Sequence, residues 1–325
     1  MASPKSEETE ARWLPELPDG AHQRTIDPRG DLILVSNCPD TCLFKVSSNV
    51  LCLASKVFQN LLICNESQRP ATTLEIGIAF TTDAIEILLR IIHLQMRCIP
   101  ERLPRMHLLD IARLVDCYEM QDSLGPFLEL WINNSFYITY AMADEESALD
   151  WLYIMFVFDE HFHFTMVASH LMWTSTGIDL EDAPEGFRSV LANIEANEIR
   201  CERDFYLQSW LNSIHKDYKA YVGSSECQNR TCTAQEFVLG YFTRLLEKYQ
   251  LLCPPQPPYK GVTLNAVSRI FIEFREGLEE APPCPVGNRH YRVMEERPQS
   301  KDCKLFKIEN FKPYRPHALI PFYGP

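Results

Sequence analysis

The residues best able to hold a metal ion are Asp159, Glu160, His161 and His163, with His170 further along, because imidazole and carboxylate ligands at helical spacing can bind zinc. On a helix, His161 and His163 lie about 200° apart, so only Asp159, His163 and His170 share a face. A solvated or capping face is the favoured reading of that cluster. A second candidate set is Cys227, Cys232, Cys284 and His290, two short-range groups separated by a long helical insert. With 12 cysteines in the chain, such groups arise readily by chance.

Catalytic chemistry finds little support. The sequence has no Walker A loop, no dinucleotide-binding glycine pattern, no G-x-S-x-G elbow and no H-E-x-x-H pair. Cys117 falls on an apolar helical face and reads as a core residue rather than a nucleophile. Pro254–Pro258 could serve as an SH3-type ligand, but a spacer is the simpler reading. The tail from Val286 carries 8 Lys and Arg against 4 Asp and Glu, mixed with aromatic residues. That mixture suits single-stranded nucleic acid or an acidic partner. With +4 in the tail and −17 in the rest of a chain of net charge −13, docking on its own acidic body is the favoured reading.

Bulk properties narrow the class further. At 325 residues and 46% hydrophobic content the chain can bury a substantial core, in about two domains. The acidic charge opposes general attraction to nucleic acid. Scattered cysteines in apolar contexts, and a polar first dozen residues without a leader's apolar core, set the expectation of reduced thiols in a cytoplasmic or nuclear protein. The longest apolar run, Trp151 to Phe158, is far shorter than the ~20 residues a membrane helix needs, so no membrane association is expected.

The elements that would position these residues follow from local patterning. Asp31–Val35 and Cys42–Val46 flank a cluster of turn formers and read as a β-hairpin. Ser48 and Ser55 are each placed to cap a short helix, Ala71–Ile76 forms a strand, and Thr82 or Asp83 caps an apolar helix through Ile85, Leu88, Leu89 and Ile92. Leu108, Ile111, Ala112, Val115 and Tyr118 mark a second core helix, and Asp122–Asn134 a third, with Gly125 and Pro126 in its first turn. Strands and helices without βαβ alternation argue for an α+β domain. Beyond it the chain reads as helical over Glu145–Gly177, along the stripe Leu207, Trp210, Leu211, Ile214 and Tyr218, and from a capping box at Thr233–Glu236. A proline-rich linker at 253–258 precedes a helix whose Leu264, Val267, Phe271, Phe274 and Leu278 form one seam, expected to pack on the helix before the linker.

Gly30–Val35, Phe44–Leu51, Leu53–Phe58, Ile85–His93 and Ile111–Tyr118, in this order and at these separations, resemble a BTB/POZ domain. Tyr259–Leu264 after the proline-rich linker resembles the helical C-terminal region of fungal members. The resemblance implies protein association: such domains commonly form homodimers, and some dock on cullin scaffolds or transcriptional corepressors. Asp31 matches the acidic residue that opens the family's first strand. Many animal members place a basic residue beneath it, and this chain has Ser48 there, with Lys45 alternating to another face.

The expected organisation is therefore a mobile arm over 1–27, a BTB/POZ-like α+β domain over 28–136, an all-α region over 137–280 and a Pro-rich basic tail over 281–325. The expected function is a non-catalytic module for protein-protein interaction, without a cofactor. Two other readings stand beside it: a zinc-binding protein using the Cys/His clusters, and a transcription-related regulator using the basic tail.

Overall fold

The computed structural model describes residues 22–36, 41–66, 73–76, 80–140, 144–177, 199–223 and 233–282. The expected arm before residue 22, the turn at 37–40, Cys227, Cys232, Cys284, His290 and the basic tail lie outside the described residues. The protein is mixed α+β and mostly helical. It divides into two compact units, one containing 22–140 and 153–160, the other 144–152 and 161–282.

The first unit is built on four strands, β1 (His22–Thr25), β2 (Leu32–Ser36), β3 (Cys42–Val46) and β4 (Thr73–Glu75), in the spatial order β1-β3-β2-β4. β2 and β3 pair antiparallel, with Leu32 opposite Val46 and Leu34 opposite Phe44, which is the expected hairpin. β4 runs parallel to β2 and β1 parallel to β3. Both faces of the central pair are covered, since Leu32, Ile33, Leu34, Leu43, Phe44 and Val46 are all buried. A strand buried on both faces reads as an apolar run rather than an alternation, and these two do.

β1 corrects the expectation of an arm extending to residue 27. His22–Thr25 is polar and mainly exposed, so no hydrophobic pattern marks it. It is held by its backbone: the His22 N–H donates to the Thr41 carbonyl, and those of Ile26 and Asp27 donate to Lys45. Ile26 follows, fully buried. Arg24 then reaches Glu86 and Asp83, while Gln95 bridges Arg90 and the Ile26 carbonyl.

Helices α1 (Ser48–Ala54) and α2 (Lys56–Glu66) follow the hairpin. Ser55 caps α2 as expected, its hydroxyl accepting from the Phe58 N–H at 3.0 Å while donating to the Tyr118 carbonyl. Ser48 does not cap α1. It is that helix's first residue, and its hydroxyl is turned to Asp31 instead. Helix α3 (Thr82–Ile92) begins one residue earlier than Thr82 or Asp83 could cap it; its N-cap is Thr81, whose N–H donates to the Asp110 carboxylate. Asp83 still lies in the first turn, where a negative charge favours the helix.

Further described helices of the unit are α4 (Arg105–Tyr118), which buries Leu108, Ile111, Ala112 and Val115, and α5 (Gly125–Tyr140), which buries Leu128, Trp131 and Ile132. The Tyr118 ring at the end of α4 stacks on Phe58 at a centroid distance of 4.4 Å.

Helix α6 (Glu145–Val157) is apolar all round and buried from Ala148 onward. No described helix is long and apolar enough to cross a membrane. The second unit continues with α7 (His161–Thr174), α8 (Ile199–Gly223), α9 (Thr233–Lys248) and α10 (Leu264–Glu279). Thr263 caps α10 by accepting from the Ala266 N–H. The α10 seam packs on α9 as its pattern predicts, with Phe274 4.4 Å from Phe242. Close approach requires Gly277, where a Cβ would lie 2.2 Å from the Tyr241 ring.

Candidate functional site

Short helix α1 is fixed in place at its N-terminus by two side chains from elsewhere in the first unit, Asp31 and His93. The Asp31 carboxylate accepts from the Ser48 N–H at 2.8 Å and from its hydroxyl at 2.5 Å. The His93 imidazole, just after α3, accepts from the Ser47 N–H at 3.1 Å through Nε2, while Nδ1 lies 2.8 Å from the Leu89 carbonyl. This pairing assigns the ring proton to Nδ1, so that His93 donates to Leu89 and accepts from Ser47. Backbone donors at the helix start, which have no partner within the helix, are thereby satisfied.

Burial on its own would raise the Asp31 carboxyl, but the two bonds from Ser48 outweigh it and hold the group below its ordinary value of 3.8. A carboxyl depressed in the folded state contributes stability that is complete above its unfolded pKa and is lost as pH falls through its folded value. Ser48→Ala is therefore expected to lower stability by about 1 kcal/mol at neutral pH, since the pair is exposed, and to move the Asp31 pKa upward. Proton NMR titration of Asp31 with urea unfolding at neutral and acidic pH checks both. An unchanged Asp31 pKa would show that the backbone N–H alone sets the carboxylate.

Anchored in this way, α1 buries Leu51 completely and presents Leu53 outward at 89% exposure. Leu94 and Met96, just after α3, are exposed as well, at 76% and 45%. Lys45 reaches the Pro28 carbonyl at 2.7 Å, away from Asp31, as strand alternation requires.

Among the described residues, those singled out for metal chemistry are not brought together. Helix α6 ends at Val157 and Asp159 takes a left-handed backbone, with φ of 63°. His163 and His170 belong to the next helix, so the single face expected for Asp159, His163 and His170 does not exist. Among the described residues no group of three His, Cys, Asp or Glu is placed to hold a metal ion. Cys117 is half-buried, and burial, helped by the nearby Asp116, pushes its thiol up to about 11. At neutral pH it stays protonated, the state of a packing group rather than a nucleophile.

The patterns singled out in the sequence pass over Arg203 on α8. It is 1% exposed, yet its guanidinium donates to the carbonyls of Ser175, Tyr259 and Val262 at 3.2, 3.2 and 2.6 Å and to the Asp204 carboxylate at 2.6 Å. One fork thus joins the end of α7, α8 and the segment entering α10. The signal lay in the α8 stripe: stepping back four residues from Leu207 places position 203 on the same buried face.

No protein-family model matches the chain, and no curated protein matches it in sequence.

Proposed function

We propose that the chain is a non-catalytic interaction module whose first unit is a BTB/POZ-like domain that pairs with a second copy of itself through the outer face of α1. The observation that carries the reading is Leu53, 89% exposed on a seven-residue helix whose position is set by Asp31, Ser48 and His93. The resemblance adds support. Its sequence blocks fall on β2, the end of β3 with α1, the junction of α1 and α2, α3 and α4, all inside one compact unit. Ser48, at the position where animal members carry a basic residue, contacts the matching acid, Asp31.

A two-fold interface would use the patch twice, so each dimer would bury two copies of Leu53. At about 1.5–3 kcal/mol for each fully buried leucine, Leu53→Asp is expected to weaken self-association at least about hundredfold. The side chain makes no contribution to the core, so the folded monomer should melt at an unchanged temperature. Docking to a cullin scaffold or a corepressor follows from the resemblance alone and would use further surface, for which Leu94 and Met96 are available.

A further inference from the structure

In the second unit, a groove of about 510 Å³ opens between one face of α8 and the proline-rich segment that follows α9. The α8 wall carries Gln208, Leu211, Asn212, His215, Lys216 and Lys219, which recur at intervals of three and four residues and so share a helical face. The opposite wall is Pro254, Pro255, Gln256 and Pro257, with Tyr259 beyond. Among the described residues, no carboxylate lines the groove. Its charged lining residues, Lys216 and Lys219, are both basic, in a chain of net charge −13.

Both walls are held. Arg203, on α8, binds the carbonyls of Tyr259 and Val262, and the Gly261 N–H donates to the Thr176 carbonyl at 2.8 Å. Tyr259 is buried with its backbone in the left-handed region, φ 52°. The proline run is therefore one wall of a fixed cleft and more than a spacer.

Donors and acceptors are segregated across this cleft. Prolines have no N–H, so their wall offers ring faces and carbonyl oxygens. The α8 wall offers two ammonium groups and two amides, and neither Lys216 nor Lys219 forms an ion pair among the described residues. His215 is 7% exposed and its Nε2 has no hydrogen-bond partner there. Burial, with Lys219 nearby, lowers its pKa from 6.5, so the imidazole is neutral at pH 7 and the positive charge rests on the two lysines. Asp217, the acid nearest in sequence, is not part of the lining.

We infer that this groove binds a small organic anion, its phosphate or carboxylate head held by Lys216 and Lys219 and its apolar body lying against Leu211 and the proline rings. The volume falls within the range of pockets that take such ligands. A charge-assisted bond from each lysine supplies the affinity, and the proline wall selects for a body over a bare ion.

Phenyl phosphate is the first probe, titrated into the full-length protein by calorimetry at low salt, with benzoate, inorganic phosphate and phenol in parallel. The expected result is saturable binding of phenyl phosphate, at least about tenfold tighter than phenol or inorganic phosphate, weakened as salt is raised. Comparing benzoate with phenyl phosphate identifies the preferred head group. The double variant Lys216→Gln, Lys219→Gln alters two exposed helical positions and should melt like the parent while binding phenyl phosphate at least about tenfold more weakly. Lys248→Gln, at a surface position outside the groove, should bind as the parent does. The inference is overturned if phenyl phosphate shows no saturation, if the double variant binds it equally well, or if a glutamate-rich peptide binds while phenyl phosphate does not, which would make the groove a protein-docking site.

Discussion

Arg203→Met is expected to destabilise the protein by about 3–5 kcal/mol, because it leaves buried acceptors without their donor. The guanidinium is 1% exposed and has four partners, of which three are backbone carbonyls that cannot move aside without moving Ser175, Tyr259 or Val262 with them. Burial presses against its charge, with Asp204 as the chief opposing influence. Methionine replaces the volume and removes every donor. Arg203→Lys should recover only part of the loss, since an ammonium lacks the planar fork that reaches carbonyls on separate segments. Urea unfolding followed by circular dichroism measures both. A loss below about 1 kcal/mol for the methionine variant would mean that water replaces the fork and that Arg203 is not the joint described. Because Arg203 fixes the Tyr259 side of the groove, its loss should also abolish phenyl phosphate binding.

Trp131→Ala is expected to cost a similar amount, about 3–5 kcal/mol, by a different mechanism. Trp131 is completely buried in α5, packs against Phe127 at 5.8 Å and donates its indole N–H to the Pro100 carbonyl at 2.8 Å. Truncation opens a cavity in the first unit and orphans that carbonyl. Trp131→Phe separates the two effects, since it keeps most of the volume and removes the donor; about 1–2 kcal/mol of loss is expected. Equal losses for Ala and Phe would assign the whole effect to the hydrogen bond.

Much of the architecture was legible because its determinants are local. The β2–β3 hairpin is marked by apolar runs around turn formers, the α2 cap by Ser55, and the α10 seam by a spacing that the Phe242–Phe274 contact reproduces. What escaped depends on partners far along the chain. β1 shows no side-chain pattern because its pairing with β3 uses the backbone. Ser48 has the chemistry of a cap but finds Asp31, 17 residues earlier, and takes that partner instead. Arg203 sits in a charged run that looks solvated, while the carbonyls it serves lie 28, 56 and 59 residues away. The metal face inferred for Asp159, His163 and His170 assumed one continuous helix, and the left-handed residue at Asp159 breaks it. Lys216, Lys219 and the proline run form a groove only because the chain folds back across α8, which no helical period discloses.

The reading of the first unit as a self-associating module rests on the outer face of α1. Light scattering of the purified full-length chain across a range of concentrations, side by side with Leu53→Asp, tests it most directly. A concentration-dependent dimer is expected for the parent chain, and for the variant a monomer over the same range that melts as the parent does at concentrations too low for dimerisation. A parent chain that stays monomeric at the highest concentration, or a variant that dimerises as the parent does, would contradict it.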